Sequence, residues 1–264
     1  RMSQVELALM TWKQAEAARD RGAVVLIPVG TLEQNGSVCS LGTDTLAAVE
    51  VAKRVAEASG AVVAPSINYG YSPQFRHFAG SVSLNPDTLR SMVFDVCLNM
   101  IENGFTRLLV VNCHISNEPI IEHALRDVRE QLGVLTGTIQ PINLAQVASK
   151  DLYQGKESTL GHGAEPIASM LRSFVPEAVH LESAKLDQWK KYQGLTVAGS
   201  SKVKVGNGTY GLFFGTDEAA VTGGTGDPSA SDPERGAEIM KRVVAMAADF
   251  VKTFAALQLT EEEE

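Results

Sequence analysis

Cysteine is scarce in this chain of 264 residues: Cys39, Cys97 and Cys113 are the three, with no CxxC spacing and no even number to build a disulfide framework. They read as reduced thiols. No run of 18 apolar residues occurs, so no membrane span is predicted. The first residues lack the basic, apolar and small-residue order of a signal peptide, and the expected location is the cytoplasm. Positive charge is also short, with 23 Lys and Arg against 31 Asp and Glu for a formal net charge of −8 and no long basic stripe. Binding a phosphate backbone requires such a stripe, so a nucleic-acid partner is excluded. There is no internal repeat, low-complexity linker or break in composition. Residues 1–264 are therefore expected to form a single domain, with 259–264 as a disordered acidic tail. The 44% apolar content is that of a globular protein with an ample core.

Apolar runs alternate with helical periodicity. Strands are expected at 24–29, 61–64, 108–111 and 134–139. Helices are expected from Asp44, with Ala48, Val51, Ala52 and Val55 on one face; from Pro86 through Met100; over 121–132; over 167–174; and from Asp232-Pro233 to about Leu257. The Gly-, Thr- and Ser-rich stretch 194–226 reads as strands and loops, either a hairpin region or a lid. This order predicts an α/β fold with a mainly parallel sheet. In such folds functional residues gather at the carboxyl ends of strands, which points to the loop after Val29 and to the residues just after Val111.

The first of these loops runs Gly30-Thr31-Leu32-Glu33-Gln34-Asn35-Gly36-Ser37-Val38-Cys39-Ser40-Leu41-Gly42-Thr43-Asp44. Gly36 and Gly42 let the backbone fold back, so that the carboxylates of Glu33 and Asp44 can face one point. Asp44 also fits a helix N-cap, and the loop alone favours capping over ligation. His114 follows a buried strand, where a lone histidine is ordinarily a packed side chain. It shares with Glu33 a place just after such a strand, however, and Glu, Asp and His together suit a divalent ion such as Zn, Mn or Fe. An ion of this kind polarises a carbonyl and brings the pKa of a bound water toward neutrality. In Gly161-His162-Gly163-Ala164-Glu165-Pro166, His162 is either part of a glycine-rich turn or a general acid/base, and the segment does not separate the two. The loop 69–80, with Tyr71, Phe75, His77 and Phe78, reads as a pocket wall or as a packed surface loop. His123 reads as solvated and His180 as structural. Cys113 lacks the electropositive surroundings of a nucleophile, and the glycines of 223–228 lack the strand-to-helix context of a phosphate loop.

Taken together, these segments resemble the creatininase (creatinine amidohydrolase) family. Pro28-Val29-Gly30-Thr31-Leu32-Glu33-Gln34-Asn35-Gly36 with Leu41-Gly42-Thr43-Asp44 is similar to the family's PxGxxEQHG…LGTD. Tyr69-Gly70-Tyr71-Ser72 with Phe78-Ala79-Gly80-Ser81-Val82-Ser83-Leu84 is similar to YGxS…FPGTxSL. Val111-Asn112-Cys113-His114-Ile115-Ser116-Asn117 is similar to VNGHGGN, and His162-Gly163-Ala164-Glu165-Pro166-Ile167-Ala168-Ser169 to HAGExETS. Gly226-Asp227-Pro228 before a long helix also matches. The resemblance implies a three-layer α/β/α sandwich, a metal-dependent hydrolase and a homohexamer. It assigns Glu33, Asp44 and His114 to metal positions and His162 to the active site beside them. Glu165 is then expected to orient His162 or move a proton, Asn35 and Asn112 to bond substrate, and Tyr71, Phe75 and Phe78 to wall the pocket. Members of the family open a cyclic amide, deformylate a pyrimidine intermediate, trim a peptide precursor or open a keto-inositol ring.

The chain departs from the family pattern at several positions. Asn35 stands where EQHG has a metal-binding His, and Ser116 where creatininase itself has a carboxylate. These losses predict one metal per chain rather than two. Ile167 replaces the Glu of ETS, and Ser37-Val38-Cys39-Ser40-Leu41 replaces PHLPL. The expected activity is hydrolysis of a small cyclic substrate at an amide carbonyl by activated water. EQNG with the NYGYS-type loop is also similar to the branch that hydrolyses a C–C bond of keto-inositols. A non-catalytic member, or a lyase or isomerase acting on the same carbonyl, stands as a further alternative.

Overall fold

A computed structural model describes residues 4–186 and 188–257, so the expected acidic tail lies outside the described residues. At its centre is a parallel sheet of β1 (Val25–Val29), β2 (Val62–Val63), β3 (Leu108–Asn112) and β4 (Gly137–Ile139), in the order β2-β1-β3-β4. All five residues of β1 and all five of β3 are buried, which explains why both read as continuous apolar runs rather than alternating ones.

Side chains still alternate between two cores. Leu26, Leu109 and Val111 point to one, with α2 (Thr43–Ser59), α5 (Pro141–Ala148), α6 (Ile167–Phe174) and α7 (Pro233–Ala255). Val25, Ile27, Val29, Leu108 and Val110 point to the other, with α1 (Trp12–Asp20), α3 (Pro86–Glu102) and α4 (Glu118–Leu132). The result is the expected three-layer α/β/α arrangement. The chain leaves β1 through α2 on one face and reaches β3 and β4 through α3 and α4 on the other. Right-handed crossovers require this when the strand order reverses. The reversal falls between β1 and β3, where open α/β sheets form a crevice for ligands.

The faces pack closely. Gly236 of α7 lies so near α6 that an added Cβ would sit 1.8 Å from the Ser169 carbonyl oxygen. Two helices were not anticipated. The α1 helix buries only Ala18, although Thr11 and Gln14 form a capping box at its start; α5 is eight residues long and buries only Pro141 and Ala145. The α1 helix presents too few apolar positions for periodicity to register, and α5, though largely apolar, is only two turns long, too short for a helical period to show. The strand expected over 134–139 is confined to Gly137–Ile139. Within 194–226 the chain forms an antiparallel sheet of β5 (Thr196–Gly199), β6 (Lys202–Val205) and β7 (Gly208–Gly211), with Val197, Val203, Phe214 and Ala219 as its small core. No helix among the described residues is long and apolar enough to cross a membrane.

Candidate metal centre

Strand register brings the site together. Val29 pairs with Asn112, and the Cys113 N–H donates to the Val29 carbonyl at 3.2 Å, so the loop after β1 and the segment Cys113-His114 leave the sheet at one level. The 30–44 loop folds back, with the Glu33 N–H donating to the Leu41 carbonyl at 3.0 Å. Asp44 is not the cap of α2: Gly42 holds that position, and Asp44 lies inside the first turn. From there its side chain reaches the sheet edge, where Oδ2 accepts from the Thr31 hydroxyl at 2.8 Å and meets His114 Nδ1 at 3.0 Å. Glu33 Oε1 lies 3.3 Å from the same nitrogen, at ion-pair distance.

Ligand atoms of Glu33, Asp44 and His114 all fall within 4.8 Å of one another, and all three residues are buried. Both Glu33 oxygens are buried without a hydrogen-bond partner. A fully buried carboxylate with no donor is costly unless a cation compensates it. The donor set, two carboxylates and one imidazole, is one that divalent transition metals accept, so the residues fit a metal ion. The His114 Nε2–H donates to the Tyr71 carbonyl at 3.1 Å, which turns Nδ1 toward the carboxylates. Burial acts to lower the His114 pKa, but the Glu33 charge, the Asp44 hydrogen bond, the close approach of the Glu33 carboxylate and the Asp44 charge outweigh it and raise the value to about 10.

His162 comes to the same cavity by a crossing of two loops. At Gly163, φ is +69°, and an added Cβ would lie 2.3 Å from the Asn35 carbonyl carbon and oxygen. Gly36 faces it from the other loop, also at φ +69°. Gly163→Ala is accordingly expected to push the loops apart, with both left-handed strain and a backbone clash. The expected loss is about 2–4 kcal/mol in a denaturant titration, together with most turnover. A variant within 0.5 kcal/mol of the parent would show that the crossing tolerates a side chain.

The His162 ring stacks on Phe75, with centroids 4.6 Å apart and planes 10° apart. Its Nε2 lies 3.0 Å from the Gln34 carbonyl oxygen and 3.1 Å from Gln34 Nε2. The Gln34 amide is itself oriented, because Nε2 donates to the Gly223 carbonyl at 3.0 Å and Oε1 accepts from the Gly36 N–H at 2.8 Å. Flipping that amide would break both bonds. No role was expected for Gln34 from sequence, although it falls at the Gln of the EQHG-like motif.

Glu165 does not orient His162. Its carboxylate accepts from the Tyr153 hydroxyl at 2.5 Å, the Ser169 hydroxyl at 2.7 Å and Arg235 Nη2 at 2.9 Å. With its oxygens taken up in this way, Glu165 ties α6 and α7 together behind the His162 loop.

The trio, His162, Phe75 and Asn35 line one cavity of about 860 Å³, in the size range of small-molecule sites. Tyr71, Phe78 and Asn112 do not form its wall. Tyr71 supplies a carbonyl to His114, and Asn112 Nδ2 donates to the His114 carbonyl at 2.8 Å and to Gln140 Oε1 at 3.0 Å. An added Cβ at Gly223 would lie 2.7 Å from Phe78 Cζ, which places that ring against the 223 turn. Ser116 lines the cavity, where its hydroxyl accepts from Gln74 Nε2 at 3.3 Å. His123 is exposed, and so is His180. Burial drives the Cys113 thiol far above its ordinary pKa, with the Asp44 charge adding to the effect, so it carries no thiolate.

A family model described as Creatininase: Creatinine amidohydrolase matches residues 8–251. Creatinine amidohydrolase of Pseudomonas putida is 38% identical over 130 residues, 46% of this chain and 50% of that protein. The 3-dehydro-scyllo-inosose hydrolase of Thermotoga maritima is 26% identical over 181 residues, 66% of this chain and 58% of that protein. The chain thus spans half to three-fifths of the length of these curated relatives. A solved structure described as Creatininase Mn superposes with a TM-score of 0.78 at 26% identity, covering 95% of this chain and 98% of that one.

Proposed function

This chain belongs to the creatininase family, and on that footing we propose that it is a metal-dependent hydrolase that opens a small cyclic substrate at an amide carbonyl. The observation that carries the proposal is the Glu33 carboxylate, buried without a hydrogen-bond partner beside Asp44 and His114. Glu33, Asp44 and His114 would hold one divalent ion, Zn, Mn or Fe. When bound, such an ion supplies Lewis acidity toward a carbonyl and lowers the pKa of water. A single ion agrees with Asn35 and Ser116 at the altered positions, and the trio is the one group of its kind among the described residues.

The chain's own side chains do the rest. Tyr71 orients His114 through its carbonyl. Gln34 and Phe75 hold the His162 ring against the cavity, and no described protein group bonds Nδ1, which leaves that nitrogen to take a proton from water and return it to the leaving nitrogen. Asn35, on the cavity wall, would bond the substrate. Glu165 keeps the His162 loop seated through Tyr153, Ser169 and Arg235. The assembly is proposed as a cytoplasmic homohexamer with 1–264 as one domain.

A second activity, hydrolysis of the C–C bond beside a keto-inositol carbonyl, is favoured by Asn35 and by the likeness to the inosose hydrolase. One assay separates the two. Purified protein is incubated with cyclic amides and keto-inositols plus Mn, Zn or Fe, and products are read by mass. A gain of one water on a cyclic amide is expected. Gain only on the keto-inositols selects the second activity, and no gain on either class defeats the hydrolase assignment.

A further inference from the structure

The cavity that holds the acidic trio also carries cations on its wall. Lys150, at the head of the short turn Lys150–Tyr153 after α5, and Lys202, the first residue of β6, both line it. Neither forms an ion pair with a carboxylate among the described residues, whereas Lys13, Lys53 and Lys241 each do. Three carboxylates line the same cavity away from the two lysines: Glu33 and Asp44 beside His114 at the trio, and Glu165 paired with Arg235.

The backbone beneath each lysine is fixed. Asp151 pairs with Arg242 at 2.8 Å and the Tyr153 hydroxyl donates to Glu165 at 2.5 Å, which anchors the turn on both sides of the cavity wall. Lys202 sits on the central strand of its sheet, in register with Gly199 on one side and Gly211 on the other. Gln146 and Ser200 add polar groups to the same wall, and Ala198 and Gly199 add little bulk. Lys150 and Lys202 thus face the concavity without carboxylate partners among the described residues, which leaves their charges free to pair with an anionic group of a bound ligand.

We infer that Lys150 and Lys202 form an anion subsite, so that the substrate opened at the metal trio carries a carboxylate or phosphate group remote from the reacting carbonyl. This rests on the hydrolase assignment above and adds the substrate's charge to it. The ring places its carbonyl by Glu33, Asp44 and His114 and its acidic substituent by the two lysines. Both lysines are exposed, so each contact is modest, and together they amount to about a tenfold preference.

The test titrates Mn-supplemented protein by calorimetry with three probes: pyroglutamate, a lactam bearing a carboxylate; pyrrolidinone, its neutral counterpart; and inorganic phosphate. At least one anion is expected to bind about tenfold tighter than pyrrolidinone and to weaken as salt is raised. Preference for pyroglutamate marks a carboxylate substituent, and preference for phosphate marks a phosphate ester. The Lys150→Met/Lys202→Met double variant is expected to lose about tenfold in anion affinity, with its fold checked by circular dichroism. Equal binding of anionic and neutral probes, or no anion binding, overturns the subsite. Anion affinity unchanged in the double variant also overturns it, because the anion then sits at the trio. The hydrolase assignment is judged separately, by the gain of one water on any cyclic amide or ketone. Lysine-dependent anion binding without ring opening defeats that assignment alone, and ring opening without anion preference defeats the subsite alone.

Discussion

His114→Ala is expected to abolish metal uptake and turnover together. His114 supplies the only nitrogen in the trio, and without it Glu33 and Asp44 face each other across a buried site with no third donor. Even groups one step removed from a metal change affinity 10- to 100-fold when lost, so loss of a direct ligand is expected to exceed about 100-fold. The measurement is metal content by elemental analysis after dialysis, paired with the mass-gain assay. The parent should retain about one ion per chain and the variant close to none. Two ions per parent chain would show that Asn35 and Ser116 do not remove a second site. Full turnover in the variant would take the trio out of the chemistry altogether. Tyr71 offers His114 only a backbone carbonyl, so a Tyr71 side-chain substitution should leave that contact in place.

Arg235→Met is expected to have the largest effect on stability. Arg235 donates to Glu165, whose side chain is 0% exposed, and also to the Tyr153 hydroxyl at 3.3 Å and to the Ala230 carbonyl. Removing the guanidinium leaves a buried carboxylate held by two hydroxyls and no cation. Such a change costs about 3–5 kcal/mol, because the remaining charge stays desolvated and unpaired. In a chain of this size that corresponds to a fall in Tm of roughly 10 °C. The double variant Arg235→Met/Glu165→Gln separates causes: if the unpaired charge is responsible, the second substitution recovers much of the loss. A single variant within 1 kcal/mol of the parent would mean that water or rearrangement satisfies Glu165, and the network would not be what seats the His162 loop.

Much of the fold was legible because its signals are local. Continuous apolar runs marked β1 and β3, since both faces of these strands are buried, and the Pro86 start marked α3. The Glu33, Asp44 and His114 candidates followed from a rule about strand ends rather than from their identities alone. The reading failed where local signal is weak or shared. Asp44 looked like a cap because an acid at a helix start ordinarily is one; only the position of Thr31 and His114 above the sheet shows that its side chain turns away from the helix. Asn112 and Tyr71 looked like pocket residues because they flank the site, yet their roles are to hold His114. Glu165 stood three residues from His162 and suggested a pair, but its partners come from α6, α7 and the turn after α5. Gln34 sat within the matched EQHG-like motif but nothing in the sequence gave it a role.

By itself, the sequence determined the order and type of the main elements, the glycines at which the chain can double back and the residue types able to bind an ion or move a proton. All of these are properties of windows a few turns long. Only the tertiary structure decided which candidates share a site. The pairing of Val29 with Asn112 puts His114 beside Asp44, 70 positions earlier, and the contact of Gly36 with Gly163 carries His162 to Gln34 across 128 positions. Those approaches depend on strand register and on close backbone contact between distant segments, and no short window of residues contains either.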